Sequence, residues 1–401
     1  MLQIVTIKSD AHTYTLYIEK MYHKRSIEMK NGTQKDKHLD FFSYLISAAL
    51  IIAICLGGYA EKISVAMASF MFHSDGTTKK ISTTVTVSNT QTTTVPPVTE
   101  SMKPHKSEIR DITETPSDIK ELIKKYTKLF ADDKKGGGIQ SVTYKNVGVT
   151  DEYKNVRVKN TTETKSLNIK KILSEPLELS VDKSKPAVLI FHSHTSEGYE
   201  MTERDWFAEG YTARTNDENR NIVRVGTEIA DYLEKSGYTV IHDKTIHDKS
   251  YSDSYSESRK TVAKHLEEHP EIQIVLDIHR DSMTQNNGDK IKPINTIADK
   301  KAAQLMIITG AEEGKVKNFP DWEDNLRFAV HLQNKCETMY PGLMRPMLFS
   351  QRKYNMDMTH FSLLIEMGSE ANTLEEACYS GRMLASALAS LMDEYVKEEK
   401  K

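Results

Sequence analysis

From residue 186 onward, short apolar runs alternate with stretches in which apolar residues recur at helical spacing. The apolar runs predict strands at 187–191, 238–241, 272–276, 304–308 and 362–365. The helical spacing predicts helices near 222–233, 256–268, 322–339 and 373–396. Alternation of this kind is typical of a mostly parallel sheet with helices on both faces. We therefore predict one α/β domain over residues 186–401.

The preceding region, 117–185, has a different pattern. Apolar positions within 117–131 lie on one face, which predicts an amphipathic helix. The glycine run Gly136–Gly138 predicts a flexible break. Short strand-like stretches follow at 141–144 and 156–158. These features indicate a small α+β lead-in region before the main domain.

The N-terminal part contains an uncharged apolar segment, residues 41–60. Its length matches the roughly 20 residues that a helix needs to cross a bilayer. Lysines concentrate before it, so residues 1–40 are predicted to stay in the cytoplasm and the rest of the chain outside. Residues 61–116, rich in Thr and spotted with Pro, predict an extended linker. A cleaved signal peptide is the alternative, because Ala66-Met67-Ala68 offers a small-x-small cleavage site.

Composition narrows the possible functions. The chain of 401 residues has 54 basic and 57 acidic side chains, which excludes a strongly basic nucleic-acid binder and an acidic solvating protein. Three cysteines, one of them in the apolar segment, exclude a disulfide framework. Since no C-x-x-C pair exists, a metal site would use His, Asp or Glu.

Three predicted strands are followed by residues that can bind a metal. His192-Ser193-His194 follows 187–191, Asp277-Ile278-His279-Arg280-Asp281 follows 272–276, and Glu366 follows 362–365. In open α/β sheets, ligands bind outside the carboxyl ends of the strands, so these residues are expected to converge there. Imidazoles with a carboxylate and an open position suit catalytic zinc. Either His192 or His194 could face the metal, because residues two apart in an extended chain point the same way.

Each motif alone has an ordinary structural explanation. Strand ends are polar in most proteins, and Asp277–Asp281 fits a salt-bridged strand terminus as well as a ligand set. Glu366 alone fits a capping carboxylate better than a catalytic one. The joint pattern is what favours a metal site, since all three groups fall at the same end of their strands.

Four blocks of this sequence resemble the stage II sporulation protein P family: VLIFHSHTSEGYE, NIVRVGTEIADYL, DIHRD and LLIEMGSEANTLEEA. The resemblance covers approximately residues 40–396. It implies a membrane-anchored peptidoglycan hydrolase of engulfment in endospore-forming bacteria. The implied activities are N-acetylmuramoyl-L-alanine amidase and endopeptidase on stem-peptide crosslinks. The implied location is the sporulation septum or engulfing membrane, and the implied partners are the stage II sporulation proteins D and M.

The region also resembles, more distantly, the zinc-dependent amidase fold of autolysins. Carried over by position, this resemblance implies that Zn²⁺ is held by His194, His279 and Glu218, and that Glu366 is the catalytic proton acceptor. The neighbours of Glu218, Asp217 and Asn219, also carry oxygen atoms and are alternatives for the third ligand. His192 stands where autolysins have Pro, so it is an alternative ligand or a residue behind the ligands.

Two further positions have expected roles beside the ligands. Arg280, next to His279, is expected to steady the oxyanion or a substrate carboxylate, since a guanidinium can bind a carboxylate in a bidentate manner. Tyr354–Asn355 are expected to shape the substrate groove.

Two other functions remain open from the sequence. A non-catalytic wall-binding or scaffolding module of the engulfment machinery would need no metal site. A different zinc peptidase would keep the same ligands and change the scissile bond. The sequence does not separate the amide from the peptide, because both are cleaved by addition of water to a planar carbonyl group.

Overall fold

The computed structural model describes residues 4–8, 13–17, 112–164 and 166–397. The chain divides into two units, 1–96 and 97–401. In the first unit, β1 (Ile4–Lys8) pairs with β2 (Thr13–Tyr17) in an antiparallel arrangement. No helix in the described part of the chain is long and apolar enough to cross a membrane. The predicted anchor, 41–60, and nearly all of the predicted linker, 61–116, lie outside the described residues.

The second unit alternates helices and strands. Its helices are α1 (Ser117–Leu129), α2 (Ile169–Ser174), α3 (Ile222–Lys235), α4 (Ser254–Glu268), α5 (Trp322–Met339) and α6 (Leu374–Met392). Its strands are β3 (Lys135–Val142), β4 (Asp151–Tyr153), β5 (Val156–Asn160), β6 (Pro186–Phe191), β7 (Trp206–Ala208), β8 (Thr239–His242), β9 (Ile274–Asp281), β10 (Lys290–Ile297), β11 (Lys300–Ala303), β12 (Leu305–Gly310), β13 (Met347–Ser350) and β14 (Phe361–Ser369). The helices predicted from periodicity are confirmed within a few residues.

The prediction of a mostly parallel sheet needs correction, because the strands of the second unit form two sheets and both are mixed. The larger sheet has the order β4-β5-β13-β12-β14-β9-β6-β8, with antiparallel pairs at β4–β5 and β12–β14. The smaller sheet has the order β11-β10-β3-β7, with antiparallel pairs at β10–β11 and β3–β7. A tight turn joins β10 to β11, and its residues Ala298 and Asp299 both have positive φ, as hairpin turns require.

The glycine run predicted as a flexible break lies inside β3 instead. A Cβ atom on Gly137 would lie 2.5 Å from the Phe207 ring, and one on Gly136 would lie 2.7 Å from the Ala208 carbonyl oxygen. Glycine in a strand often marks such a close approach of another segment. The lead-in strand β3 therefore contacts β7 closely on one side, and it pairs with β10 on the other.

The central strands are covered on both faces, as predicted. Val188 and Ile190 of β6 belong to the larger core, together with residues of α3, α5 and α6. Leu189 and Phe191 point the other way and pack with Val262 of α4. A capping box begins α6: Thr373 accepts from the Glu376 backbone, and the Glu376 side chain accepts from the Thr373 backbone.

Candidate metal centre

Three strands bring the candidate residues to one edge of the larger sheet. β14, β9 and β6 are parallel neighbours, as the sequence analysis required. The register places Glu366 beside His279 and Phe191 beside Asp277. His194 follows the end of β6, so its imidazole is near the same edge. Because backbone pairing fixes the register of the strands, these side chains are preorganised.

Glu197 completes a group of three possible ligands. Its backbone N–H donates to the carbonyl oxygen of His194 at 3.3 Å, which folds the segment after β6 into a turn. One carboxylate oxygen lies 3.4 Å from His194 Nδ1, and the other lies 3.5 Å from His279 Nδ1. All three side chains are buried, and each offers a ligand atom within 4.8 Å of the others.

The donor set fits a zinc ion. Two imidazoles and one carboxylate are a common ligand set of catalytic zinc, with a further position open to water. His194 Nε2 is buried and has no hydrogen-bond partner among the described residues. A buried polar atom without a partner costs free energy in a native protein, and a metal ion bound at this group would reduce that cost.

A second carboxylate lies beside the candidate ligand His279 on β9. Asp277 Oδ1 lies 2.8 Å from His279 Nε2, which leaves Nδ1 facing Glu197. Carboxylates in this position orient metal-binding imidazoles. Burial alone would lower the pKa of His279, but the negative charges of Asp277 and Glu197 outweigh it and hold that pKa well above its usual value. The Ser193 backbone and hydroxyl both donate to Asp277 and fix its carboxylate.

Glu366 lies beside this group without being part of it. Its Oε2 is buried and has no hydrogen-bond partner in the described part of the protein. Burial, together with the negative charges of Asp281 and Glu197, raises the pKa of Glu366 to about 8. A carboxyl group with a pKa near neutrality can both accept and donate a proton during a reaction.

The structure does not bring Glu218 into this group. Glu218 is exposed in the loop that precedes α3, whereas Asn221, three residues later, caps that helix. His192 is fully buried behind the group, with Nδ1 2.8 Å from the Ile278 carbonyl oxygen and Nε2 2.9 Å from His242 Nε2. Burial lowers the pKa of His192 to about 4.

Arg280 is held by backbone groups. Its guanidinium donates to the carbonyl oxygens of Gly198, Asp281 and Ala213. Its backbone N–H donates to Glu197 Oε2 at 3.0 Å. Arg280 thus connects the Glu197 carboxylate to the segment 198–213, which forms one side of the candidate site.

The group opens into a cleft of about 540 Å³. One wall carries tyrosines: the Tyr251 ring stacks on His194 at 4.5 Å, and the Tyr255 ring stacks on Tyr354 at 5.0 Å. Asn355 donates from its side chain to the carbonyl oxygen of Tyr255. A charged wall adjoins the tyrosine wall and includes Arg214, Lys290 and Glu370; the Arg214 guanidinium lies 5.0 Å from the centre of the Tyr251 ring.

Sequence reasoning placed His194, His279, Glu366 and Tyr354 around this cleft and missed Glu197. The His-x-x-Glu spacing of 194 and 197 was the available signal, since two ligands three residues apart can meet across one turn. Asp277 was visible only as part of a charged strand end.

The fold and the site define a mixed α/β protein with a His–Glu–His group at the carboxyl ends of two parallel strands, β6 and β9, and a buried glutamate on the neighbouring parallel strand β14. The sequence profile of stage II sporulation protein P (SpoIIP) matches residues 119–389. The chain belongs to the stage II sporulation protein P family.

Relatives and solved structures show similarity over about half of the chain. Stage II sporulation protein P of Bacillus subtilis (strain 168) is 31% identical over 227 residues, which are 53% of this chain and 52% of that protein. The chain thus spans about half the length of the curated relative that it matches. The N-acetylmuramoyl-L-alanine amidase AmiC2 of Nostoc punctiforme is 14% identical, with a TM-score of 0.31 and coverage of 53% and 98% of the two chains. The CwlD amidase of Clostridioides difficile, solved with the GerS lipoprotein, is 14% identical, with a TM-score of 0.34 and coverage of 52% and 98%.

Proposed function

We propose that this protein is a zinc-dependent peptidoglycan hydrolase of sporulation that cleaves the amide between muramic acid and L-alanine. The observation that carries the proposal is the buried group of His194, Glu197 and His279, with Glu366 beside it, at the base of an open cleft. Membership of the stage II sporulation protein P family supports a role in sporulation. The tyrosine wall and the charged wall suit a substrate that joins a sugar to a charged peptide.

His194, Glu197 and His279 would hold the ion. Zinc, when bound, supplies a Lewis acid that lowers the pKa of water and polarises a carbonyl group. Glu366 accepts the proton of the attacking water at its free carboxylate oxygen. It then donates that proton to the nitrogen of the leaving amine, which is the usual double role of such a base. Asp277 keeps the His279 ring in the orientation that points Nδ1 towards Glu197.

Cleavage of stem-peptide crosslinks belongs to the same proposal, because hydrolysis of either bond uses the same groups. So do anchoring by residues 41–60, with the main domain on the outer side of the cell membrane, and partnership with stage II sporulation proteins D and M. These parts rest on the sequence pattern and on the family.

Digestion of purified peptidoglycan by the full chain in detergent tests the proposal. Mass spectrometry should detect peptides with a free L-alanine amino group, and a chelator should abolish their release. The variant E366Q, loaded with zinc, is the matched control and should release almost none. A folded, zinc-loaded wild-type protein that binds walls without cleaving them would instead identify a wall-binding module.

A further inference from the structure

A second cavity adjoins the metal cleft. Its volume is about 350 Å³, and it lies between the segment 198–220 and the lead-in residues Phe130 and Asp133. Thr212 and Arg214 line both cavities, so the two are neighbours across these side chains. A ligand extended from the metal cleft over Arg214 would reach this space.

Arg220 presents an unmatched positive charge to this cavity. Alone among the arginines in the described ranges, its guanidinium has neither a hydrogen bond nor an ion pair, and its Nε is buried. It lies 4.4 Å from the centre of the Tyr126 ring, in a cation–π contact. The Tyr126 hydroxyl donates to Asp217 at 3.2 Å, which fixes the ring. Helix α1 therefore holds Arg220 in place and leaves its N–H groups free for an anion.

Glu200 presents the complementary acceptor. Only 3% of this residue is exposed, and its Oε1 has no hydrogen-bond partner within the described residues. Oε2 accepts from Arg204 at 3.2 Å, while the other end of that guanidinium pairs with Asp133 at 3.0 Å. Burial raises the pKa of Glu200, although Arg204 opposes the shift. A donor with positive charge would satisfy the remaining oxygen.

We propose that the second cavity binds a zwitterionic centre of the stem peptide, with its carboxylate at Arg220 and its ammonium at Glu200. The inference rests on the proposed function, because it assumes that the scissile amide lies at the metal group. A diaminopimelate side chain ends in a carbon that carries both an ammonium and a carboxylate, whereas a lysine side chain ends in an ammonium alone. The third residue of a stem peptide lies about 10 Å from the amide, at the reach of three extended residues.

The test compares two muramoyl tripeptides that differ only in the third residue, meso-diaminopimelate or L-lysine. A charged hydrogen bond to the extra carboxylate should make wild-type kcat/KM about tenfold higher for diaminopimelate. R220Q should abolish that preference. The matched control R157Q should retain it, because Arg157 pairs with Glu337 and lines neither cavity. Equal rates for the two substrates with wild type, or an unchanged preference in R220Q, would overturn the proposal.

Two measurements separate this inference from the proposed function. Hydrolysis of a muramoyl dipeptide, which lacks the third residue, reports on the metal site alone and should be equal in wild type and R157Q. If no substrate is cleaved, the proposed function fails, and calorimetric titration of the two free tripeptides still decides the inference. Equal affinities for the two peptides would then overturn it. Should R220Q unfold, the comparison of the two tripeptides with wild type still tests the proposal. The isosteric variant E200Q tests it as well, because it should weaken binding of both peptides.

Discussion

The metal ligands can be tested by exchanging a single oxygen for nitrogen at Glu197. The variant E197Q keeps the size of the side chain and removes its charge. In the structure, the two carboxylate oxygens of Glu197 lie 3.4 Å and 3.5 Å from nitrogens of His194 and His279. The amide keeps one weak oxygen donor and introduces an NH₂ group next to the imidazoles. We therefore expect E197Q to lose most of its affinity for zinc.

The size of the loss follows from the position of the residue. Losing a carboxylate that only orients a ligand typically weakens metal affinity by about 10- to 100-fold. Glu197 contacts both histidines directly and supplies the only negative charge of the three ligands, so its removal should cost more than about 100-fold. By the relation of affinity to free energy, this corresponds to more than about 2.7 kcal/mol.

The matched control is E218Q. Glu218 lies in the same stretch of chain between β6 and α3, but it is exposed and outside the ligand group. Competition with a chromophoric chelator, on protein shown to be folded by circular dichroism, gives both affinities. Wild-type affinity in E197Q together with a large loss in E218Q would refute the ligand assignment and restore the one derived from resemblance.

Three other predictions address neighbouring groups. E366Q should keep zinc and lose about a hundredfold or more in rate, the usual contribution of a general base; loss of zinc would instead make Glu366 a ligand. His194→Ala should leave negligible zinc after dialysis, while His192→Ala should retain a measurable share, and the converse ranking by metal analysis would move the ligand to His192. Gly226→Ala should lower the free energy of unfolding by about 1–3 kcal/mol in urea titration, because the new Cβ would lie 2.6 Å from His242 Nε2 and 2.7 Å from His192 Nε2. Replacing glycine by alanine in a helix usually stabilises it by about 1 kcal/mol, and such a gain here would contradict this packing.

Stability should also depend on pH through the buried histidine pair. Burial, reinforced by His192, lowers the pKa of His242 to about 2, well below its usual 6.5. The unfolded chain therefore binds a proton that the folded chain excludes, once the pH falls below about 6.5. The full stability should be present above that pH. Below it, each histidine of the pair should lower the free energy of unfolding by about 1 kcal/mol per pH unit, because the pKa of His192 is also lowered, to about 4. Urea titrations between pH 7.5 and 5 test this, and a His242→Gln variant should show a shallower decline.

Several residues of the site were predictable because they depend on the apolar pattern. Continuous apolar runs set where β6, β9 and β14 lie, and parallel neighbours must end at the same edge of a sheet. This is enough to bring His194, His279 and Glu366 together. The sequence does not show that β9 and β14 continue through the motif residues, since charged side chains interrupt the apolar run before the backbone pairing ends.

Glu218 and Glu197 show where such reasoning stops. Glu218 was assigned by position from the resemblance to autolysins, which assumes that the loop between β6 and α3 follows the same path in both. In this protein that loop contains β7, which pairs with β3 of the lead-in region. The loop therefore lies along the smaller sheet, and the Glu218 carboxylate remains in solvent. A long-range strand pair of this kind leaves little local trace, apart from Gly136 and Gly137, whose missing side chains make room for it.

The β3–β7 pair connects the lead-in region to the candidate metal centre. β3 contacts β7 on one side and β10 on the other, and β10 begins with Lys290 of the charged wall. The segment 198–213, which carries β7, accepts a hydrogen bond from the Arg280 guanidinium at the Ala213 carbonyl oxygen. The backbone N–H of Arg280 in turn donates to the Glu197 carboxylate. The charged wall of the cleft and the segment 198–213 thus depend on the smaller sheet. The lead-in region is therefore part of the functional domain, which explains why one profile spans residues 119–389 without a break at residue 186.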